Sequence, residues 1–225
     1  MTSFPEFSDK MISHIPAGNR KFRAMAGPIL KRLKLNPRNF WAWDNLANLY
    51  FSEGLVEQSI EIYRRALKIK PSLPIVHMRI GIAYYRLAML DEAIKELKAA
   101  VKLNSGLAMA HYYLGFAYYH KGDSDKSLGH FRKVQEHSPE TRIVFYHMAE
   151  DYLQNGRFGE AAEVLEKLLK GSSSSATAWY KLGQAYFGLY KHKEAAHAFR
   201  EALKINPRDT RSENMLELIV DAPRI

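Results

Sequence analysis

The chain has 225 residues, of which 47% are hydrophobic and 25% charged, with a formal net charge of +9 and no cysteine. That hydrophobic content excludes a disordered chain, and the missing cysteine excludes disulfides, thiolate metal sites and cysteine nucleophiles. No apolar run reaches the ~18–20 residues of a membrane span, and Met1 to Lys10 lacks a basic start followed by an apolar core, so a cytoplasmic location is expected.

In chain order, residues 1–39 read as an N-terminal arm and capping helix. They hold eight Lys or Arg against Glu6 and Asp9, a local charge of +6 that leaves +3 for the rest of the chain. Pro16, Ala17 and Gly18 break any helix there. From Asn19 onward, Phe22, Met25, Ile29 and Leu33 recur at spacings of three and four, predicting a helix interrupted or started afresh at Gly27-Pro28. Its opposite face carries Arg20, Arg23, Lys31 and Lys34: either a plain solvated face, or one suited to acidic partners and to peripheral contact with anionic lipid.

A fixed period then takes over. Trp179, Leu182, Gly183 and Tyr186, followed by Ala195, Phe199, Ala202 and Pro207, spell W-x2-L-G-x2-Y, A-x3-F and a closing proline. Equivalent positions recur every 34 residues, back to Trp43, Leu46, Ala47 and Tyr50. The copies tile residues 40–209 as 40–73, 74–107, 108–141, 142–175 and 176–209. This pattern resembles the tetratricopeptide repeat family, over about three quarters of the chain. The resemblance implies an all-α fold, a right-handed α-solenoid of stacked antiparallel helix pairs, used as a protein-interaction scaffold.

The residues support helix pairs on their own. Positions 4, 7, 8 and 11 of each copy follow the buried stripe of a helix. Position 8 is always small (Ala47, Gly81, Gly115, Ala149, Gly183), as is position 20 (Ser59, Ala93, Ser127, Ala161, Ala195), which predicts that the two face each other across a close helix contact. Position 11 is always tyrosine: Tyr50, Tyr84, Tyr118, Tyr152 and Tyr186. Gly54, Gly122 and Gly156 suit a left-handed turn between paired helices. Asp91 and Asp125 suit caps or first-turn acids, and Pro71, Pro139 and Pro207 close their copies. Gly171 to Ser175 has the composition of a mobile joint. Residues 210–225 read as a C-terminal capping helix and tail, with Met215, Leu216, Ile219 and Val220 turned to the preceding copy and Pro223 as its stop.

No phosphate-loop, dinucleotide, metalloprotease or nucleophile-elbow motif occurs, so no enzyme, cofactor or metal site is expected. His77 and His111 sit at position 4, where other copies have tryptophan, and read as packing. Binding is better supported. Positions 2, 5, 9 and 12 of the first helices share a face beside the buried stripe, which the family resemblance places in a concave groove. They are Trp41, Asp44, Asn48 and Phe51; Ile75, Met78, Ile82 and Tyr85; Met109, Tyr112, Phe116 and Tyr119; Ile143, Tyr146, Glu150 and Leu153; and Thr177, Tyr180, Gln184 and Phe187.

So apolar and aromatic a face marks an interaction site, and a peptide segment or helix of a partner protein is the expected ligand. A lysine–arginine–asparagine clamp for a carboxylate tail is incomplete, since Arg79 and Lys181 at position 6 are isolated. Two alternatives stay open: single-stranded nucleic acid, which suits aromatic residues beside net positive charge, and self-assembly into homo-oligomers through the terminal helices.

Overall fold

The computed structural model describes residues 20–171 and 174–221, the last two residues and Gly171 through their backbone only. Pro16, Ala17 and Gly18, Ser172 and Ser173 of the expected joint, and Pro223 lie outside the described residues. Within them stand twelve helices and no strand: α1 Arg20–Leu35, α2 Phe40–Ser52, α3 Val56–Ile69, α4 Pro74–Arg86, α5 Leu90–Leu103, α6 Ala108–His120, α7 Ser124–His137, α8 Ile143–Gln154, α9 Phe158–Gly171, α10 Ala176–Gly188, α11 His192–Ile205 and α12 Thr210–Asp221. They group into two compact units, residues 1–117 and 118–225, whose boundary falls inside α6.

In the first unit α1 packs on α2, α2 on α3, α3 on α4 and α4 on α5; in the second, α7 to α12 pack in chain order. Close approach within a pair depends on what lies above the small residue. An added Cβ on Gly81 would stand 2.6 Å from Leu97 Cγ, and one on Gly183 would stand 2.5 Å from the Phe199 ring. The expected partners at position 20 are buried, but the side chains seated over the glycines belong to position 24. A large residue fills the groove that the missing side chain opens.

Two further contacts recur. Trp43 Nε1 donates to the Pro37 carbonyl at 2.8 Å, while Nε2 of His77 and of His111 lie 3.1 and 3.0 Å from the carbonyls of Pro71 and Ser105. In these three copies position 4 is therefore more than packing: a ring N–H satisfies the backbone carbonyl six residues earlier, which explains why histidine stands in for tryptophan. The tyrosine at position 11 also reaches back one pair. Arg64 donates to the Tyr84 hydroxyl at 2.6 Å and Arg132 to the Tyr152 hydroxyl at 3.0 Å, while the Tyr186 hydroxyl donates to Glu166 at 2.6 Å.

Several local expectations change. α1 runs unbroken through Pro28. Pro28 and the residue four before it, Ala24, both face solvent, where the unpaired carbonyl is hydrated. The buried stripe of α1 is Phe22, Ala26 and Leu33, and Met25 is half exposed. Ser175 is an N-cap rather than slack, its hydroxyl accepting from Ala178 N at 3.2 Å. Asp91 and Asp125 lie in first turns, whereas the capping side chain of α7 is Asp123. In α12, Met215, Leu216 and Ile219 are half-buried, and Val220's side chain is outside the described set.

The left-handed turn is enforced even where glycine is missing. Gly54, Gly122 and Gly156 have φ of 81°, 75° and 68°; Ala88 and Tyr190, at the same repeat position, have 58° and 60°. A Cβ in that region costs roughly 1–2 kcal/mol. Ala88→Gly should therefore stabilise the protein by about 1 kcal/mol in urea denaturation. Gly183→Ala should destabilise it by roughly 1–2 kcal/mol, because the buried Phe199 ring must move while helix propensity improves.

Candidate functional site

In the first unit the face is built from α2, α4 and the start of α6. Four rings meet there: Tyr85 lies 5.5 Å from Tyr113 and 6.3 Å from Phe116, and Tyr112 lies 5.8 Å from Tyr113 and 4.8 Å from Phe116. Most pairs are edge-to-face, the arrangement ring quadrupoles favour. The rings are half-buried, as are Met78 and Ile82, while Ile75 and Met109, three residues before Met78 and Tyr112, are exposed. Burial, and then the neighbouring Tyr113, pushes the hydroxyls of Tyr85 and Tyr112 above the usual tyrosine value, so both stay protonated hydrogen-bond donors.

The polar members of this face are committed internally. Asp44 is only 2% exposed and forms an ion pair with Arg79 of α4. It is therefore no partner-contacting residue, contrary to expectation: α4 covers it, and a covered carboxylate needs a cation. Asn48 accepts from the Tyr63 hydroxyl at 2.7 Å. The Arg86 guanidinium sits 4.7 Å from the Phe51 ring centroid and donates to the Phe51 carbonyl at 3.4 Å. Trp41, 59% exposed at the start of α2, has Phe40 as its ring partner, at 4.9 Å.

The second unit carries a more polar face. Lys181 Nζ bonds Glu150 at 3.1 Å and stands 5.2 Å from the Tyr146 centroid. The Gln154 amide donates to the Tyr119 hydroxyl, and that of Gln184 to the Tyr180 hydroxyl at 3.2 Å. Arg211 of α12 covers Tyr180 at 4.7 Å while its Nε bonds Asp209 at 2.8 Å, which holds the Asp209 carboxyl below the usual carboxylate range. Burial raises the Tyr146 hydroxyl and lowers the His147 imidazole, leaving both neutral near pH 7. Phe187 and Gln184 line a cavity of about 220 Å³ together with Leu153, Phe158, Gly188 and Met215.

Sequence reasoning missed Tyr63, Arg86, Tyr113 and Arg211, which complete these surfaces from positions outside the chosen face. Arg79 and Lys181 are not isolated: each binds an acid of the preceding first helix, which removes both from any carboxylate clamp. The signal was an acid on one first helix answered by a cation on the next. Among the described residues no group of three His, Cys, Asp or Glu is placed to hold a metal, and no helix is long and apolar enough to cross a membrane.

Family models described as tetratricopeptide or TPR repeats match residues 47–87, 90–122, 108–141 and 146–210. The sequence matches no curated protein at a significant level. Similar solved structures include YrrB, described as a TPR protein with an unusual peptide-binding site: 19% identity, TM-score 0.77, covering 85% of this chain and 99% of that one. The protein MamA aligns at 22% identity and TM-score 0.70 over 76% of this chain and 94% of its own. MamA from Desulfovibrio magneticus RS-1 aligns at 23% and 0.61, over 65% and 82%. At these identities the likeness is one of fold, the helical-repeat solenoid.

The Asp44–Arg79 pair supplies a direct check on its assignment. Arg79→Met should destabilise the fold by about 1–3 kcal/mol, because a buried carboxylate loses its cation while Arg79 itself was partly exposed. Asp44→Asn with Arg79→Met should recover part of that loss in chemical denaturation.

Proposed function

We infer the function from one premise: the chain belongs to the tetratricopeptide repeat family. That fold is a protein–protein interaction scaffold and is typically non-catalytic. We propose that the first unit captures a peptide segment or helix of a partner protein on the face of α4 and α6, around Tyr85, Tyr112, Tyr113 and Phe116.

One observation carries this reading. Four aromatic rings, with Met78 and Ile82, stand half-buried across α4 and α6, with exposed Ile75 and Met109 beside them in sequence. Half-buried rings held edge-to-face are rigid anchors, and ordering them costs little entropy on binding. Asp44, the acid on this face, is neutralised by Arg79, and around the rings the face offers hydroxyl donors and apolar area. This chemistry favours a peptide with apolar anchors over a nucleic-acid backbone. The peptide-binding site named for YrrB fits the same reading, although the surface residues here make the case.

A phage-displayed random peptide library panned against the intact protein should yield sequences with aromatic or aliphatic anchors. By calorimetry, Tyr112→Ala with Phe116→Ala should weaken each selected peptide by ~2–4 kcal/mol, with the helical circular dichroism unchanged. Undiminished binding by the folded double variant would reject this surface.

A further inference from the structure

Between Arg20 and Trp43 the sequence places seven Lys or Arg and no Asp or Glu. The fold leaves this charge outside. α1 buries Phe22, Ala26 and Leu33, and Arg20, Lys21, Arg23, Lys31, Arg32 and Lys34 are all exposed on the remaining surface of the helix. At 3.6 residues per turn those six cations spread over about half the helix circumference. Arg38 continues the series in the following turn.

Two large apolar side chains stand among these cations. Leu35, the last residue of α1, is 80% exposed, and Trp41, in the first turn of α2, is 59% exposed. They flank one short turn, residues 36–39, fixed by the Asn39 N to Asn36 carbonyl bond at 3.1 Å and by Trp43 Nε1 on the Pro37 carbonyl. Phe40 backs the Trp41 ring, and Lys70, the C-cap of α3, lies 5.3 Å from the Phe40 centroid, adding a further cation to the corner.

Water solvates the cations well but not Leu35 and Trp41. The headgroup region of an anionic bilayer suits both: tryptophan and leucine enter the boundary between headgroups and acyl chains, and lysine and arginine meet phosphate and carboxylate groups. A single strand of nucleic acid fits less well, because it calls for successive exposed stacking platforms along a basic groove. Here one exposed tryptophan and one leucine cap a helix whose charges fan outward. We propose that the α1–α2 corner docks this protein on an anionic lipid bilayer, with Leu35 and Trp41 as its inserted anchors. Trp41 lies on the α2 part of the outward face, but none of the α4 and α6 rings belongs to this corner, so either reading can fail alone.

The test is co-sedimentation of the intact chain with vesicles of phosphatidylcholine, alone or with one third phosphatidylserine. The protein should sediment with the anionic vesicles only, with a blue shift of tryptophan emission that Trp41→Phe removes, since Trp43 is buried and the half-buried Trp179 belongs to the second unit. Arg32→Gln, Lys34→Gln and Arg38→Gln together should lower partitioning by about a hundred-fold. Leu35→Ser should also weaken it, and the Tyr112/Phe116 double alanine variant should bind vesicles normally. All these side chains except the last pair are exposed, so unchanged circular dichroism is expected. Equal partitioning to neutral vesicles, no sedimentation, or full binding by the triple variant would overturn the proposal. So would tight binding of a single-stranded oligonucleotide that is indifferent to Leu35 and Trp41.

Discussion

No Cβ fits between Gly81 and Leu97, or between Gly183 and Phe199. That steric limit sets how closely the two helices of a pair can lie, and much else follows from it. Once the small residue is in place, the large residue at position 24 becomes the core of the pair, buried in each described instance: Tyr63, Leu97, Phe131, Leu165 and Phe199. The residues next to it on the first helix are then turned outward at fixed angles. Position 5, 9 and 12 side chains, the buried Asp44 excepted, inherit their half-buried state from that geometry.

Half-burial is also what gives the surface its chemistry. A fully solvated tyrosine is a mobile polar group, and a fully buried one is packing. Tyr85 and Tyr112 lie between these limits: flanking rings hold them in place, and desolvation keeps them protonated. Charges on the same faces behave differently, because a carboxylate beside packed rings is costly unless a cation meets it. Asp44 with Arg79 and Glu150 with Lys181 are two instances, each joining consecutive first helices. The pairs hold neighbouring helices in register and leave the aromatic groups as the distinctive chemistry of the surface.

The sequence revealed the fold because its signal was repeated. One Trp-Leu-Gly-Tyr set has many explanations, whereas the same set at a constant spacing has few, and the helices at Phe40, Pro74, Ala108 and Ala176 start where the period puts them. The surface was legible only in part. Periodicity places Asp44 on the outward face but says nothing of α4 lying over it, so its burial was missed. Tyr113 was passed over because one helix wheel cannot show a neighbouring helix bringing Tyr85 alongside. Likewise Ala88 and Tyr190 occupy a left-handed turn that neither residue type announces, since the flanking helices impose that conformation.

The ring N–H at position 4 and the hydroxyl at position 11 both bond to groups on the preceding segment. Joints of this kind are thus completed by the pair that follows them, through the ring at Trp43, His77 and His111 and through the hydroxyl at Tyr84 and Tyr152. Insertion or loss of a whole 34-residue unit therefore leaves a chain in which such a carbonyl or ring meets an equivalent position. A cut at any other spacing strands one of them in a buried or half-buried place. The molecule's length can change by complete modules far more readily than by single residues, so lineages descended from such a chain should differ in multiples of its period.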